Sequence, residues 1–120
     1  MKLSSKQALD KAREAQSAGH NKTSEKIYRA ILKTQPKHAQ ANHNLGVVIA
    51  STNKFEAALP FLKSAVDINP KEDQFWFSYI DALLRASRFE EARISIEAAL
   101  SSGLSKKTVN ILRAKIPPSG

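Results

Sequence analysis

The 120-residue sequence contains no cysteine, which excludes disulfides, thiolate zinc sites, iron–sulfur clusters and cysteine nucleophiles together and suits a reducing compartment. Glycine and proline are scarce, at four and five residues, too few for a low-complexity linker or a turn-rich β fold. No apolar run approaches the roughly 20 residues that cross a bilayer, and the opening MKLSSKQALDKAREAQ turns polar before a secretory apolar region could form. The chain therefore reads as soluble and cytoplasmic. No segment alternates like a strand, and there is neither a glycine-rich phosphate loop nor a His-Glu-x-x-His pattern. What remains, 42% hydrophobic and 25% charged residues, is the composition of one ordinary globular domain.

Apolar residues recur at helical spacing almost throughout: Ile27, Ile31 and Leu32, then Leu59, Leu62 and Val66, then Leu83 and Leu84, then Ile94, Ile96 and Leu100. Glycine and proline punctuate this pattern at Gly19, Pro36, Pro70, Gly103 and the pair Pro117–Pro118. The spacing predicts helices over 5–18, 22–34, 39–51, 54–68, 74–86, 88–101 and 106–115. Ser105 is the expected cap of the last, and Pro60 is expected to bend the fourth without ending it, because it lacks an N–H and crowds the carbonyl of Glu56.

Pro36 and Pro70 lie 34 positions apart, a period of stacked helical pairs. Shifting the chain by that period superposes Asn53, Phe55, Glu56, Ala58 and Ala65 on Ser87, Phe89, Glu90, Ala92 and Ala99. Asn53 and Ser87 read as N-caps, with Glu56 and Glu90 completing capping boxes. The alanines allow close helix approach, and the phenylalanines are placed to fill the wedge between successive pairs. Gly46, alone inside a predicted helix, is expected to let a neighbour approach closely.

These residues resemble the tetratricopeptide repeat. Its pattern of Trp, Leu, Gly and Tyr on a first helix and Ala, Phe and Ala on a second, closed by Pro, is met by Leu45, Gly46, Ile49, Ala58, Leu62, Ala65 and Pro70. The next repeat supplies Trp76, Tyr79, Leu83, Ala92, Ile96 and Ala99, with Ile80 where a small residue is usual. The first repeat is the most degenerate, as an end of an array that faces water can be. The resemblance implies an all-α fold, a right-handed α-α superhelix of about three helix-turn-helix pairs (5–38, 39–72, 73–104) with a capping helix at 105–115, the domain covering 1–116 and residues 117–120 forming a tail or the start of a linker. ANHNLGVV with FWFSYIDALLRASRFEEAR further resembles the amino-terminal repeat module of large bacterial transferases, which would fuse this chain to a C-terminal catalytic domain.

The family pattern lines a concave groove with the first helix of each pair, which implies a peptide-binding site at Arg13, Gln40, His43, Asn44, Val47, Gln74, Phe77, Ser78 and Asp81, flanked by Lys6, Leu9, Asp10, Gln16, Ser51 and Arg85. Asn44 is the leading position, since an amide both donates to and accepts from a strand-like ligand; the competing reading is an exposed polar residue with no ligand. Of the Phe75–Trp76–Phe77 run, Trp76 is expected in the core, Phe75 near the seam with the preceding pair, and Phe77 facing the groove, unless all three simply pack. The positions at which chaperone-tail-binding repeats place Lys and Asn, Asn, then Lys and Arg are here Leu9, Arg13, Asn44, Gln74 and Ser78, of which only Asn44 agrees. The histidines, His20, His38 and His43, are not spaced for a zinc pair, and neither cofactor nor metal is expected.

The formal charge of +8 divides into +6 over residues 1–38, zero over 39–72, −2 over 73–104 and +4 over 105–120. A phosphate-tracking groove would be basic along its length, so nucleic acid is disfavoured as primary ligand. Lys22, Lys26, Arg29 and Lys33 form a stripe on the second helix, read as a solvated surface or as a dock for an acidic patch or anionic membrane. Together these features point to a non-enzymatic interaction module whose partner is a protein or peptide.

Overall fold

The computed structural model describes residues 3–118. Seven helices follow one another: α1 Ser5–Ser17, α2 Asn21–Thr34, α3 Ala39–Ala50, α4 Phe55–Ile68, α5 Asp73–Arg85, α6 Phe89–Ser101 and α7 Lys106–Arg113. Each packs on the next, and α3 also touches α5, giving an elongated body of 56 × 26 × 21 Å. This is the architecture expected from the 34-residue period, three helical pairs and a capping helix.

The helices owe their faces to the apolar spacing. Tyr28, Leu45, Leu62, Ile80, Leu83, Ile96 and Leu112 are fully shielded from solvent, each burial contributing about 1.5–3 kcal/mol. Ala12, Ala58, Ala65, Ala92 and Ala99 are completely buried where backbones meet. The tightest approach is at Gly46: a β-carbon there would stand 2.5 Å from Leu62 Cδ2, 2.6 Å from its Cγ and 3.3 Å from its backbone nitrogen. One period later the same two places hold Ile80 and Ile96, both buried, and α5 and α6 accordingly pack less intimately than α3 and α4.

Helix ends correct one expectation. Asn53 and Ser87 are not N-caps: both have left-handed backbone, at φ 64° and 60°, and the caps are Lys54 and Arg88, without side-chain cap bonds. Gly19 stands one period before Asn53 and is also left-handed, at φ +80°. The shared property at 19, 53 and 87 is thus the reversal that ends the first helix of each pair, a conformation suited to Gly and Asn. At Gly19, Ser87 and Gly103 the next residue's N–H closes the turn onto the helix, as Arg88 N–H does on the Leu83 carbonyl at 2.8 Å. Glu56 and Glu90 are therefore free of capping duty and pair with Arg88 and Arg93 instead.

Ser105 does cap α7, accepting from Thr108 N–H at 3.2 Å. Pro60 lies inside an uninterrupted α4. Phe55 and Phe89 are half-buried. Of the tail, the Pro117 carbonyl accepts from Arg93 at 3.4 Å, and residues 119–120 lie outside the described residues.

Candidate functional site: the inner face of α1, α3 and α5

The sequence-predicted residues fall on three consecutive first helices, and the structure divides them into a buried polar strut and an open hollow. The strut begins at Tyr28, a fully buried side chain of α2 whose hydroxyl donates to Gln16 Oε1 on α1 at 2.6 Å. Burial pushes the Tyr28 pKa up, while the Asn44 amide beside it and the charge of Arg13 pull it partly back. Asn44 Oδ1 accepts from Gln40 Nε2 at 2.8 Å and pairs with His43 Nδ1 at 3.2 Å. His43 Nε2 then reaches Ser78 Oγ on α5 at 2.8 Å.

Asn44 and His43 are only 8% and 4% exposed. Asn44 is thus neither a free rung for a ligand nor an idle surface amide; both lone pairs of its oxygen are engaged, which leaves donor capacity alone for a peptide. Burial lowers the His43 pKa, with the Asn44 hydrogen bond and the charge of Glu72 acting against it, so the ring is neutral near pH 7. A neutral ring satisfies both contacts with Nδ1–H donating to Asn44 and Nε2 accepting from the Ser78 hydroxyl. His43 also lies against Phe75, ring centroids 4.8 Å apart, which fastens α3 to α5.

Ser78, His43 and Asn44 occur in the order of a nucleophile, a base and an orienting group. Ser78 sits in mid-helix, however, where the neighbouring backbone N–H groups are spent on helical bonds and none is left to stabilise an oxyanion. The three hold helices together. Among the described residues no cluster of His, Cys, Asp or Glu is arranged to hold a metal ion.

The hollow lies beside the strut, between α3 and α5 and over α4. It encloses about 400 Å³ and is lined by Val47, Ala50, Ser51, Asn53, Phe55, Leu62, Phe77, Ser78, Asp81, Ala82 and Arg85. Six of the predicted groove residues therefore meet there, Val47, Phe77, Ser78 and Asp81 with the flanking Ser51 and Arg85. Phe75 and Trp76 are buried, but Phe77 is 39% exposed, and Lys115 from the end of the chain holds its ammonium 5.8 Å from the ring centroid. Asp81 pairs with Arg85 at 3.0 Å, and that guanidinium also lies 5.7 Å from the Phe55 ring. Gln74 and Arg13 are exposed on α5 and α1, away from the hollow, and Gln40 is half-buried.

Sequence reasoning missed three contributors. Tyr28 joins the strut from a second helix; the signal available was a polar aromatic at a core position. Asn42 is buried and donates to the Pro36 carbonyl at 3.1 Å, just as Trp76, one period on, donates to the Pro70 carbonyl at 2.8 Å. On α7, Ile111 is 48% exposed; Ser105 precedes α7 as Glu72 precedes α5, so Ile111 occupies the place of Ser78 and continues the inner face.

Two tetratricopeptide repeat family models match, over residues 9–73 and 50–116. The chain belongs to the tetratricopeptide repeat family. Its fold is similar to the TPR2B domain of yeast Sti1, solved as a pHsp70 complex, with 18% identity over 93% of this chain and 94% of that one and a TM-score of 0.82. The Yersinia enterocolitica type III secretion chaperone SycD, solved with a peptide of the translocator YopD, gives 17% identity over 92% and 90% of the chains and a TM-score of 0.80. A mutant of Thermobaculum terrenum O-GlcNAc transferase gives 23% identity and a TM-score of 0.77, over 96% of this chain but 23% of the transferase. No curated protein matches the sequence significantly. No helix among the described residues of this repeat protein is long and apolar enough to cross a membrane.

Proposed function

We propose that this tetratricopeptide repeat protein is a non-enzymatic adaptor that binds a peptide or partner segment on its inner face, with Phe77 as the anchor. The observation that carries the reading is the half-exposed Phe77 ring beside a hollow of about 400 Å³ floored by Val47, Ala50, Leu62 and Ala82. That volume falls within the roughly 300–1,000 Å³ of small-ligand sites. Its apolar floor suits a large apolar side chain of the ligand, while Ser78, Asp81 and Arg85 at the rim suit the ligand's backbone and charged neighbours. Gln40, Gln74 and Arg13 extend the polar wall along the helices, and His43 and Asn44 support it from beneath. The Sti1 domain, solved as a pHsp70 complex, and SycD, solved with a peptide of the translocator YopD, support a peptide-sized ligand. They do not extend to a terminal-carboxylate clamp, because Leu9, Gln74 and Ser78 supply no cation at the places where one is needed.

An array of 15-residue peptides selects ligands, and fluorescence anisotropy on the best of them measures the variants. Phe77→Ala is expected to weaken binding by about thirtyfold, the loss of a hot-spot side chain, and unchanged affinity would move the site elsewhere. A second reading, that the chain is the substrate-recruiting module of a larger glycosyltransferase-like protein, is favoured by the alignment with the Thermobaculum enzyme over 96% of this chain. That reading requires the gene to continue into a catalytic domain, which sequencing past residue 120 decides.

A further inference from the structure

The outer seams between repeats carry equivalent hollows of opposite character. Second helices begin at Asn21, Phe55 and Phe89, so positions 22 and 56 correspond, as do 54 and 88, and 57 and 91. At the later seam Arg88 reaches across to Glu56 at 2.6 Å and is held on its own helix by Glu91 at 2.7 Å. A hollow of about 360 Å³ surrounds these three residues. At the earlier seam a hollow of about 300 Å³ is lined by Lys54 in place of Arg88, Lys22 in place of Glu56 and Ala57 in place of Glu91. One carboxylate has become a cation and the other a methyl group. Arg29 and Glu25 also line this hollow and are paired with each other at 3.0 Å, so they cancel; no salt bridge among the described residues uses Lys22 or Lys54.

We propose that the hollow between α2 and α4 is a docking site for an acidic segment of a partner protein. A glutamate or aspartate side chain of the partner enters between Lys22 and Lys54 and supplies the carboxylate that Glu56 supplies at the next seam. The complementarity is built in: the same geometry closes internally on a carboxylate 34 residues later, and the surrounding amino-terminal segment has a formal charge of +6 that draws an acidic partner toward it. The hollow is lined by residues of α2, α4 and the end of α3 with its turn and has no lining residue in common with the hollow beside Phe77, so one protein could hold two ligands at once.

The test is an amide-shift NMR titration of the full 120-residue chain with acetylated, amidated hexaglutamate at low ionic strength. Shifts are expected to cluster at residues 21–25 and 52–57. Lys22→Glu, an exposed position that leaves the fold intact, is expected to weaken binding at least about tenfold, a change equal to about 1.4 kcal/mol. Lys33→Glu removes the same charge from the same helix outside the hollow and is expected to weaken it less than about twofold, since exposed charges are screened by solvent and salt. The proposal is overturned if the two variants weaken binding equally, or if the shifts scatter over the cations of α1 and α7. It is also overturned if inorganic phosphate or a short DNA duplex moves the same amides at lower concentration than the peptide, since the site would then serve a different anion.

Discussion

Gly46→Ala tests the packing on which the inner face depends. In an exposed helix the substitution favours the fold by about 1 kcal/mol, because alanine loses less backbone freedom. Here the added methyl group would stand 2.5 and 2.6 Å from the Leu62 side chain and 3.3 Å from its backbone nitrogen. Leu62 is 1% exposed; its Cδ2 can turn toward the hollow it floors, but its Cγ and its backbone nitrogen cannot turn away in the same manner, so α4 itself must retreat from α3. Overpacking of this kind costs about 3 kcal/mol at the upper end of its usual range, and the net expectation is a loss of about 2 kcal/mol once the propensity gain of about 1 kcal/mol is set against it. Urea unfolding followed by far-UV circular dichroism measures the change, with an unaltered dependence on denaturant as the sign that both states keep their extent. A second variant isolates the cause. Leu62→Ala alone loses about 2–5 kcal/mol through its cavity, but on that background Gly46→Ala meets only the backbone nitrogen at 3.3 Å and becomes stabilising by up to about 1 kcal/mol. The coupling between the two sites is then about 3 kcal/mol, at the top of what neighbouring residues show. Gly46→Ala as stable as the parent, or equally costly with and without Leu62, would refute the reasoning.

Ser87→Gly relieves a left-handed conformation that costs a side-chain-bearing residue about 1–2 kcal/mol, and after the entropy cost of glycine a gain of about 0.5–1 kcal/mol is expected; thermal unfolding measures it, and a lower Tm contradicts the assignment of Ser87 as a helix terminator. His43 has a pKa below its unfolded value of about 6.5, so between these two values the unfolded chain binds the extra proton and stability rises with pH, levelling off for this group above about 6.5. His43→Gln should flatten the rise of the urea-midpoint profile below about pH 6.5, and an unchanged slope would show that the ring does not carry it. Lys22→Glu should stabilise the protein by about 0.5–1 kcal/mol, by recreating the Arg88–Glu56 type of ion pair with Lys54 and by placing an acid in the first turn of α2, which has none; denaturant midpoints at low and high salt check both contributions. Trp76→Phe removes the donor to Pro70 while keeping most of the ring, and urea unfolding is expected to show a loss of about 0.5–1.5 kcal/mol, the worth of one part-buried hydrogen bond whose acceptor can turn to water.

The helix order and the arrangement in about three pairs with a capping helix were legible because apolar spacing and a 34-residue recurrence are properties of the chain itself. The chemical meaning of a recurring position was less so. Asn53 suits an N-cap and a left-handed stop almost equally by residue type and Ser87 suits the N-cap better, so only the inclusion of Gly19 in the same register reveals the stop. The inner face was legible to the level of the helix: Val47, Phe77, Ser78 and Asp81 do line one hollow. Whether a polar side chain there faces a ligand or its neighbours depends on partners from other helices. Asn44 looks identical in sequence in either role, and it is Tyr28, Gln40 and His43 that turn its amide inward. The contrast at the outer seams was likewise invisible to a reading of Lys22, Lys26, Arg29 and Lys33 as a stripe, because the stripe omits Lys54, which comes from a different pair.

The polar strut changes how the array can behave as a modular object. In a simple stack any unit can be deleted, duplicated or exchanged, because each meets its neighbours through interchangeable apolar surfaces. Here the first unit contributes the Tyr28 phenol with Gln16, the second the Asn44 amide and the His43 imidazole with Gln40, and the third the Ser78 hydroxyl, so no two units bring the same set. Splicing out the central unit would bring Tyr28 against a serine where it now meets an amide, and repeating it would set an imidazole opposite an amide instead of a hydroxyl. The three pairs are thus written for one order only and should unfold as a single cooperative block.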